Sequence, residues 1–353
     1  MPASILSIGT ALPATRLTQS SVRDLFAAQP GAERLTQRLI AAAFDHADID
    51  HRYTVLSDLA DAPAAATTTD AATEHDRMRV RDPSGALLSP STGTRNTEFI
   101  RCAPPLFADA GHRALASANL EPASVTHVVT VSCTGLMAPG PDYHLVRDLG
   151  LAPTVERYHL GFVGCAAALP ALRLAARICA AQPEAVVLVV CGALCSLHLR
   201  ASSDPQQIVA ASIFADGAAA AVVSARPDMA RHPRLDLDRF GTALTSEGEG
   251  DMVWTIGDAG FEMTLSAEVP RIVGREIRGA VDQFLAGDSV DRWAVHPGGR
   301  SVLDRVEAGL ALSPDALEGS RAVLRNHGNM SSATILFILR DLLADAASTN
   351  SKG

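Results

Sequence analysis

A layered α/β fold built from two similar halves is what this sequence predicts. Three observations carry that reading. Apolar runs of strand length alternate with stretches of helical apolar spacing along most of the chain. Glycine turns recur where strands feed helices: Gly164-Cys165 has a counterpart in Gly328-Asn329, and the run ending at Cys133-Thr-Gly has one in His296-Pro-Gly-Gly. With 353 residues, 47% of them hydrophobic and 20% charged, the chain is long enough for two cores or one large layered core.

Each element follows from its local pattern. Ser4 to Ile8 reads as a first strand, and Leu17 to Ala28 and Ala32 to Phe44 as helices. Residues 60 to 98 form a polar excursion, bracketed by Ala-Pro-Ala-Ala-Ala-Thr-Thr-Thr and Ser-Pro-Ser-Thr-Gly-Thr, that predicts a cap over a site or a mobile loop. Then come a helix over Asp109 to Ala118, a strand over His127 to Cys133, a helix near Tyr143 to Leu149 and a strand near Val155 to Leu160. Ala185 to Cys191 is apolar throughout, as suits a strand buried on both faces, and Ala218 to Val223 repeats that character. Residues 225 to 238, rich in proline and charge, read as a joint, dividing the chain into halves 1–224 and 225–353. The second half predicts a long helix over Leu265 to Ala286, a strand over Arg292 to His296, and helices over Val302 to Leu310 and Ala333 to Leu343.

Composition narrows the function classes. A net charge of −9 argues against a general nucleic-acid or anionic-membrane surface, though a local basic patch would still serve an anionic small molecule. No apolar run has the length of a membrane span, and Met1 to Thr10 lacks the character of a signal peptide. The six cysteines show no C-x-x-C metal spacing, and several sit in apolar runs, which predicts reduced thiols in the cytoplasm and no metal.

Cys165 is the residue on which the chemistry centres. Gly161 and Gly164 permit a tight path before it, and Leu169, Leu172, Ala176 and Cys179 behind it recur at helical spacing. A thiol at a helix N-terminus meets unpaired N–H groups that favour the thiolate, so a lowered pKa is expected. Small alanines beside it leave room for an acyl group, and Pro170 predicts a kink in the first helical turns. A buried structural cysteine is the plainer alternative.

His296 ends an apolar run at Pro-Gly-Gly, the kind of strand-end loop where α/β folds bind ligands. His46, His75, His112 and His232 read as core or surface residues. Asn329 follows Gly328 at a helix start, where an N-cap is the common use of asparagine, and a capping side chain does not also face a cavity. Cys, His and Asn in this order also occur in papain-like proteases, but there the cysteine lies near the mature N-terminus of a disulfide-bearing secreted chain.

The motifs Gly-Phe-Val-Gly-Cys165-Ala-Ala, Phe214-Ala-Asp-Gly-Ala-Ala-Ala-Ala-Val, Val-His296-Pro-Gly-Gly and Gly-Asn329-Met-Ser-Ser-Ala resemble those of type III polyketide synthases, the chalcone and stilbene synthase family. The resemblance spans most of residues 120 to 340. Ser-Cys133-Thr-Gly, Pro139-Gly-Pro-Asp-Tyr143 and Arg-Tyr158-His-Leu-Gly161 look most like the bacterial alkylresorcinol and alkylpyrone branch.

That resemblance implies a thiolase-like duplicated α/β/α/β/α sandwich, a homodimer, acyl-CoA and malonyl-CoA as substrates, and no cofactor. It implies that Cys165 holds a starter acyl group and that His296 and Asn329 stabilise an enolate as malonyl-CoA loses carbon dioxide. It puts Phe214 at the entrance to the cavity, and Cys133, Thr134, Cys195 and His198 along its wall. Ordinary core packing is the alternative for Phe214, Cys133 and Cys195. Arg52, next to His51, falls where the family has a basic stretch for CoA phosphates; a solvated surface arginine is the alternative.

The family ends in a Gly-Phe-Gly-Pro-Gly-type loop and a last strand, whereas this sequence stops at Ser-Thr-Asn-Ser-Lys-Gly; the expectation is either a truncated sequence or a protein lacking one wall of the cavity and a sheet strand. Two other functions fit Cys, His and Asn: a ketoacyl-ACP synthase III-like condensing enzyme, and an inactive acyl-binding protein of the same fold.

Overall fold

A computed structural model describes residues 2–60, 77–229 and 233–350. The chain opens with β1 (Ser4–Ala11) and β2 (Thr15–Thr18), followed by α1 (Gln19–Ala27), α2 (Arg34–Asp45) and β3 (His51–Thr54). The helix expected from Leu17 starts two residues later. Thr15–Thr18 pairs antiparallel with His51–Thr54, and the Thr18 side chain caps the helix by accepting the Ser21 N–H.

The polar excursion is shorter than predicted. Ser91 caps α3 (Thr92–Ala118), a 27-residue helix that runs through Pro104 and Pro105 and buries Phe99, Phe107 and Ala114. Residues 61–76, the heart of the predicted cap, lie outside the described residues, as do His75, His232 and the terminal Ser-Lys-Gly.

There follow β4 (His127–Ser132), α4 (Pro141–Asp148), β5 (Glu156–Gly161), α5 (Ala168–Ala181), β6 (Val186–Leu194), α6 (Pro205–Ile213) and β7 (Asp216–Ser224). The predicted joint returns to the first half: β8 (Leu235–Asp236) pairs with β1. The six strands form one sheet in the order β5-β4-β6-β7-β1-β8, parallel across β5-β4-β6 and antiparallel beyond.

Both central strands are buried at every residue because both faces are covered. Alternation assigns the faces. Val186, Leu188, Ala218 and Ala220 join the core under α3, while Val187, Val189, Ala219 and Ala221 join the core shared with α5 and the last helix. Alanine in β7 lets those helices approach the sheet closely.

The second half holds β9 (Met252–Gly257) and β10 (Gly260–Leu265), a hairpin, then α7 (Glu268–Leu285), α8 (Arg300–Leu310), α9 (Glu318–His327) and α10 (Ala333–Asn350). The hairpin and α9 have no counterpart in the sequence reading. The strand expected at Arg292 to His296 is not formed, since no described strand pairs with it. Helix α10 packs with α5 on the same face of the sheet, and α8 and α9 close a third core with Ile213, Ala47 and Ile49.

Candidate active site

Cys165 is delivered by a backbone path that few residues adopt. After β5, Phe162 takes φ +56° and Gly164 takes φ 85°, ψ −163°, a region open essentially to glycine. Cys165–Ala167 then makes one 3₁₀ turn before α5 begins at Ala168. Pro170 is the third residue of α5, where backbone N–H groups have no intrahelical partner, so no kink is required.

Asn329 is delivered in the same way. Helix α9 ends at Gly328, with φ 71° and ψ −169°, and the next residue is Asn329. Its backbone bridges to the first half: Asn329 N–H donates to Ile213 O (2.9 Å), and Ala215 N–H donates to Asn329 O (2.9 Å). It is no N-cap of α10, which starts four residues later. Its Oδ1 accepts the Ser331 N–H at 2.8 Å, and its Nδ2 donates to Gly298 O at 3.3 Å. The side chains of Asn329 and Ser331 act on the Cys165 thiol as donors that favour its thiolate, and Ser331 Oγ also lies 3.4 Å from Cys133 Sγ.

Burial outweighs these donors. It pushes the Cys165 thiol up to about 11, with Cys133 adding to the rise, while Ser331 and Asn329 hold it down in part. The lowered pKa expected from the helix end is therefore reversed by burial. Both ring nitrogens of His296 are buried without a hydrogen-bond partner, and burial pushes its pKa down to about 4. At rest Cys165 is a thiol and His296 a neutral imidazole.

A cavity of about 210 Å³ lies against Cys165. Cys133, Thr134, Cys195, Phe214 and Ser331 line it, and the β9–β10 hairpin closes it with Met252, Trp254 and Met263. Trp254 Nε1 donates to Cys133 O at 2.7 Å. A second cavity of about 490 Å³ opens beyond Ile213 and Gly298, the residues whose carbonyls receive the Asn329 N–H groups.

His198 has no nitrogen left for a ligand. Its Nε2 donates to Thr134 O at 2.8 Å, its Nδ1 accepts the Phe261 N–H at 3.0 Å, and its ring stacks on Phe261 at 4.1 Å. It ties the hairpin to the Thr134 wall, and burial holds its pKa down at about 4.

Arg52 is neither on the surface nor turned to a phosphate. It is 3% exposed, lies over the Phe44 ring, and donates through Nη1 to Ala211 O and Phe214 O. Its place in β3 directs it inward. Ser331 and the hairpin residues are the lining that sequence reasoning missed. Ser331 stands inside the Asn329 motif, while the hairpin follows a joint whose composition gave no strand signal.

A six-stranded sheet covered by helices on both faces, with a cysteine and an asparagine each set one residue behind a glycine turn of the same conformation, fits a thiolase-type protein. Residues 1–227 match the family "Chalcone and stilbene synthases, N-terminal domain", and residues 241–352 match its C-terminal domain. The chain belongs to the chalcone and stilbene synthase family, the type III polyketide synthases.

Among solved structures it is similar to PKS-I of the brown alga Ectocarpus siliculosus, with a TM-score of 0.92 and 29% identity over 100% of this chain and 92% of that one. It is also similar to the C-terminal type III polyketide synthase domain of Steely1, a type I/III hybrid from Dictyostelium (TM-score 0.82, 27% identity, 98% of this chain and 92% of that one). A curated relative, probable polyketide synthase 1 of Dictyostelium discoideum, is 29% identical over 345 residues, covering 95% of this chain. The match spans only 10% of that much longer protein. Among the described residues, no group of three or more His, Cys, Asp or Glu side chains is arranged to hold a metal, and no helix is long and apolar enough to cross a membrane.

Proposed function

We propose that this chain extends an acyl-CoA starter with malonyl-CoA by decarboxylative Claisen condensation. The observation that carries the reading is the convergence of Cys165, Asn329 and Ser331 between a cavity on one side and a second opening on the other. The first would receive the growing chain and the second the CoA arm.

The residues divide the reaction as follows. Cys165 passes its proton to His296 as its sulfur attacks the starter thioester; the CoA sulfur leaves and takes that proton back. Acylation also releases the Asn329 amide from the sulfur. Malonyl-CoA then loses carbon dioxide, and the electron pair of the broken C–C bond becomes an enolate. The enolate oxygen takes hydrogen bonds from the Asn329 amide and the His296 imidazole N–H. The enolate carbon attacks the acyl carbonyl, the Cys165 sulfur leaves as a thiolate that takes a proton from solvent, and a 3-ketoacyl-CoA two carbons longer is free to reload.

The apolar wall favours an aliphatic starter. The enclosed 210 Å³ is small, so a long chain would run out along Phe162 and Val163, which are 37% and 50% exposed. Alkylpyrone or alkylresorcinol products follow from such starters. A homodimer fits the edge strand β5, whose residues are exposed except Leu160 and which presents Tyr158 beside Phe162 and Val163. All six cysteines are free, as suits a reducing cytoplasm. Mass spectrometry of products from a panel of acyl-CoA starters with malonyl-CoA tests the reading. Extended products from aliphatic starters support it; the absence of both acyl adduct and extended product from every starter rejects it.

A further inference from the structure

We infer that Gln19 and Arg52 form a clamp that positions Phe214 and Asn329 for malonyl decarboxylation, a role that rests on the condensation proposed above. The last carbonyls of a helix have no partner within it. At the end of α6, Phe214 N–H takes Ala210 O at 3.2 Å. Every following carbonyl is met from outside the helix. Arg52 Nη1 donates to Ala211 O at 2.5 Å and to Phe214 O at 3.0 Å, and Gln19 Nε2 donates to Ser212 O at 2.8 Å. The remaining one, Ile213 O, receives the Asn329 N–H.

Both clamp residues come from one small ladder. Leu17 of β2 pairs with Arg52 of β3, and Gln19 N–H donates to Asp50 O at 2.9 Å. Both are buried; Asp216 is the carboxylate that acts on the Arg52 charge, and the hydrogen bonds of Arg52 go to carbonyls. Its positive head faces the carbonyl end of a helix, where the dipole favours it. Arg52 Nε and Nη2 and Gln19 Oε1 are buried without partners, so the polar side chains are held there for the contacts they do make.

The stem of Arg52 reaches the other half. A Cβ on Gly328 would stand 3.1 Å from Arg52 Cγ, so the stem packs under the turn that delivers Asn329. One side chain thus touches Phe214 on one side of the Phe214–Asn329 bridge and the Gly328 turn just ahead of Asn329 on the other. Cys165 sits on a separate segment that neither Gln19 nor Arg52 contacts. Loosening the clamp should therefore disturb decarboxylation and spare starter loading.

The test compares the full chain with Arg52→Met, Arg52→Lys and Gln19→Met. Three quantities are followed: acylation of Cys165 by mass, carbon dioxide release from malonyl-CoA, and amide exchange in segments 211–216 and 325–332. Arg52→Met should load starter at a rate near the parent's, while kcat for carbon dioxide release falls about tenfold or more, since small misplacements of reacting groups are costly. Arg52→Lys should recover part of that loss, and exchange in both segments should quicken. Gln19→Met removes the hydrogen bonds to Ser212 O and Phe44 O and should act in the same direction more weakly, which keeps the test open where Arg52→Met fails to fold. Equal loss of loading and decarboxylation, a raised KM for both CoA thioesters at unchanged kcat, or undiminished decarboxylation would each overturn the clamp. Where the parent itself neither loads nor decarboxylates, the condensation reading fails and the clamp stands or falls on exchange: quickened at Asn329 supports it, unchanged rejects it.

Discussion

Gly164 and Gly328 hold the same backbone conformation, φ 85° with ψ −163° and φ 71° with ψ −169°, each one residue ahead of a polar side chain turned into the site. The two are not equally crowded. A Cβ on Gly164 would meet nothing within 4 Å, whereas one on Gly328 would stand 3.1 Å from Ala215 Cβ, Arg52 Cγ and Ile213 O. Gly164→Ala should therefore cost backbone strain alone, about 1–3 kcal/mol. Gly328→Ala should cost more. Denaturant unfolding of the two variants checks the order, and equal losses would contradict it.

A thiol with a pKa near 11 is scarcely ionised at neutral pH, so Cys165 alkylation by iodoacetamide should rise about tenfold per pH unit between 7 and 10. The side-chain donors Ser331 and Asn329 favour the thiolate. Ser331→Ala should thus slow alkylation at any one pH in this range. A rate that levels off below pH 8 would show a preformed thiolate and remove this account.

Asn329→Ala should still accept starter on Cys165 but lose about a hundredfold or more in carbon dioxide release, the usual cost of one donor to a developing oxyanion. Cys165→Ala should keep some malonyl decarboxylation and make no extended product. Undiminished decarboxylation by Asn329→Ala would leave the residue a purely structural link between Gly298 and Ser331.

Acid should destabilise the fold through its buried imidazoles. The pKa values of His198, His296 and His327 are each held down at about 4 by burial, below the ordinary value of about 6.5. A depressed folded-state pKa means the unfolded chain binds the proton first. Stability from these groups is present above about pH 6.5 and is lost as pH falls toward 4. Asp216, raised to about 6 by burial, acts in the opposite sense over part of that window. Unfolding free energies measured from pH 7.5 to 4.5 should decline; a flat profile would mean these histidines are protonated in the fold.

Trp254 and Met263 stand between the 210 Å³ cavity and a smaller one of about 30 Å³ beside His198. Trp254→Leu would join the two and remove the bond to Cys133 O. Acceptance of longer starters, read from the product distribution, is the expected result. An unchanged distribution would put the length limit elsewhere.

By itself the sequence determined the family, the order of most elements and the motifs that carry Cys165, His296 and Asn329. Those features are local: strand-length apolar runs, helical spacing and glycine turns are set by neighbouring residues, whatever the rest of the chain does. Tertiary structure decided what those residues experience. A lone helix terminus would lower the Cys165 pKa, but burial among Cys133 and its neighbours raises it. Arg52 carries a charge that suggests a phosphate, yet its position in β3 turns it onto the carbonyls of Ala211 and Phe214. His198 borders a cavity of about 30 Å³, but Thr134 and Phe261 take both its nitrogens. Arg292 to His296 has a strand's composition, but a ladder needs a partner, and none of the described strands supplies one. Solvation and pairing depend on residues far apart in the chain, and only the folded arrangement brings those residues together.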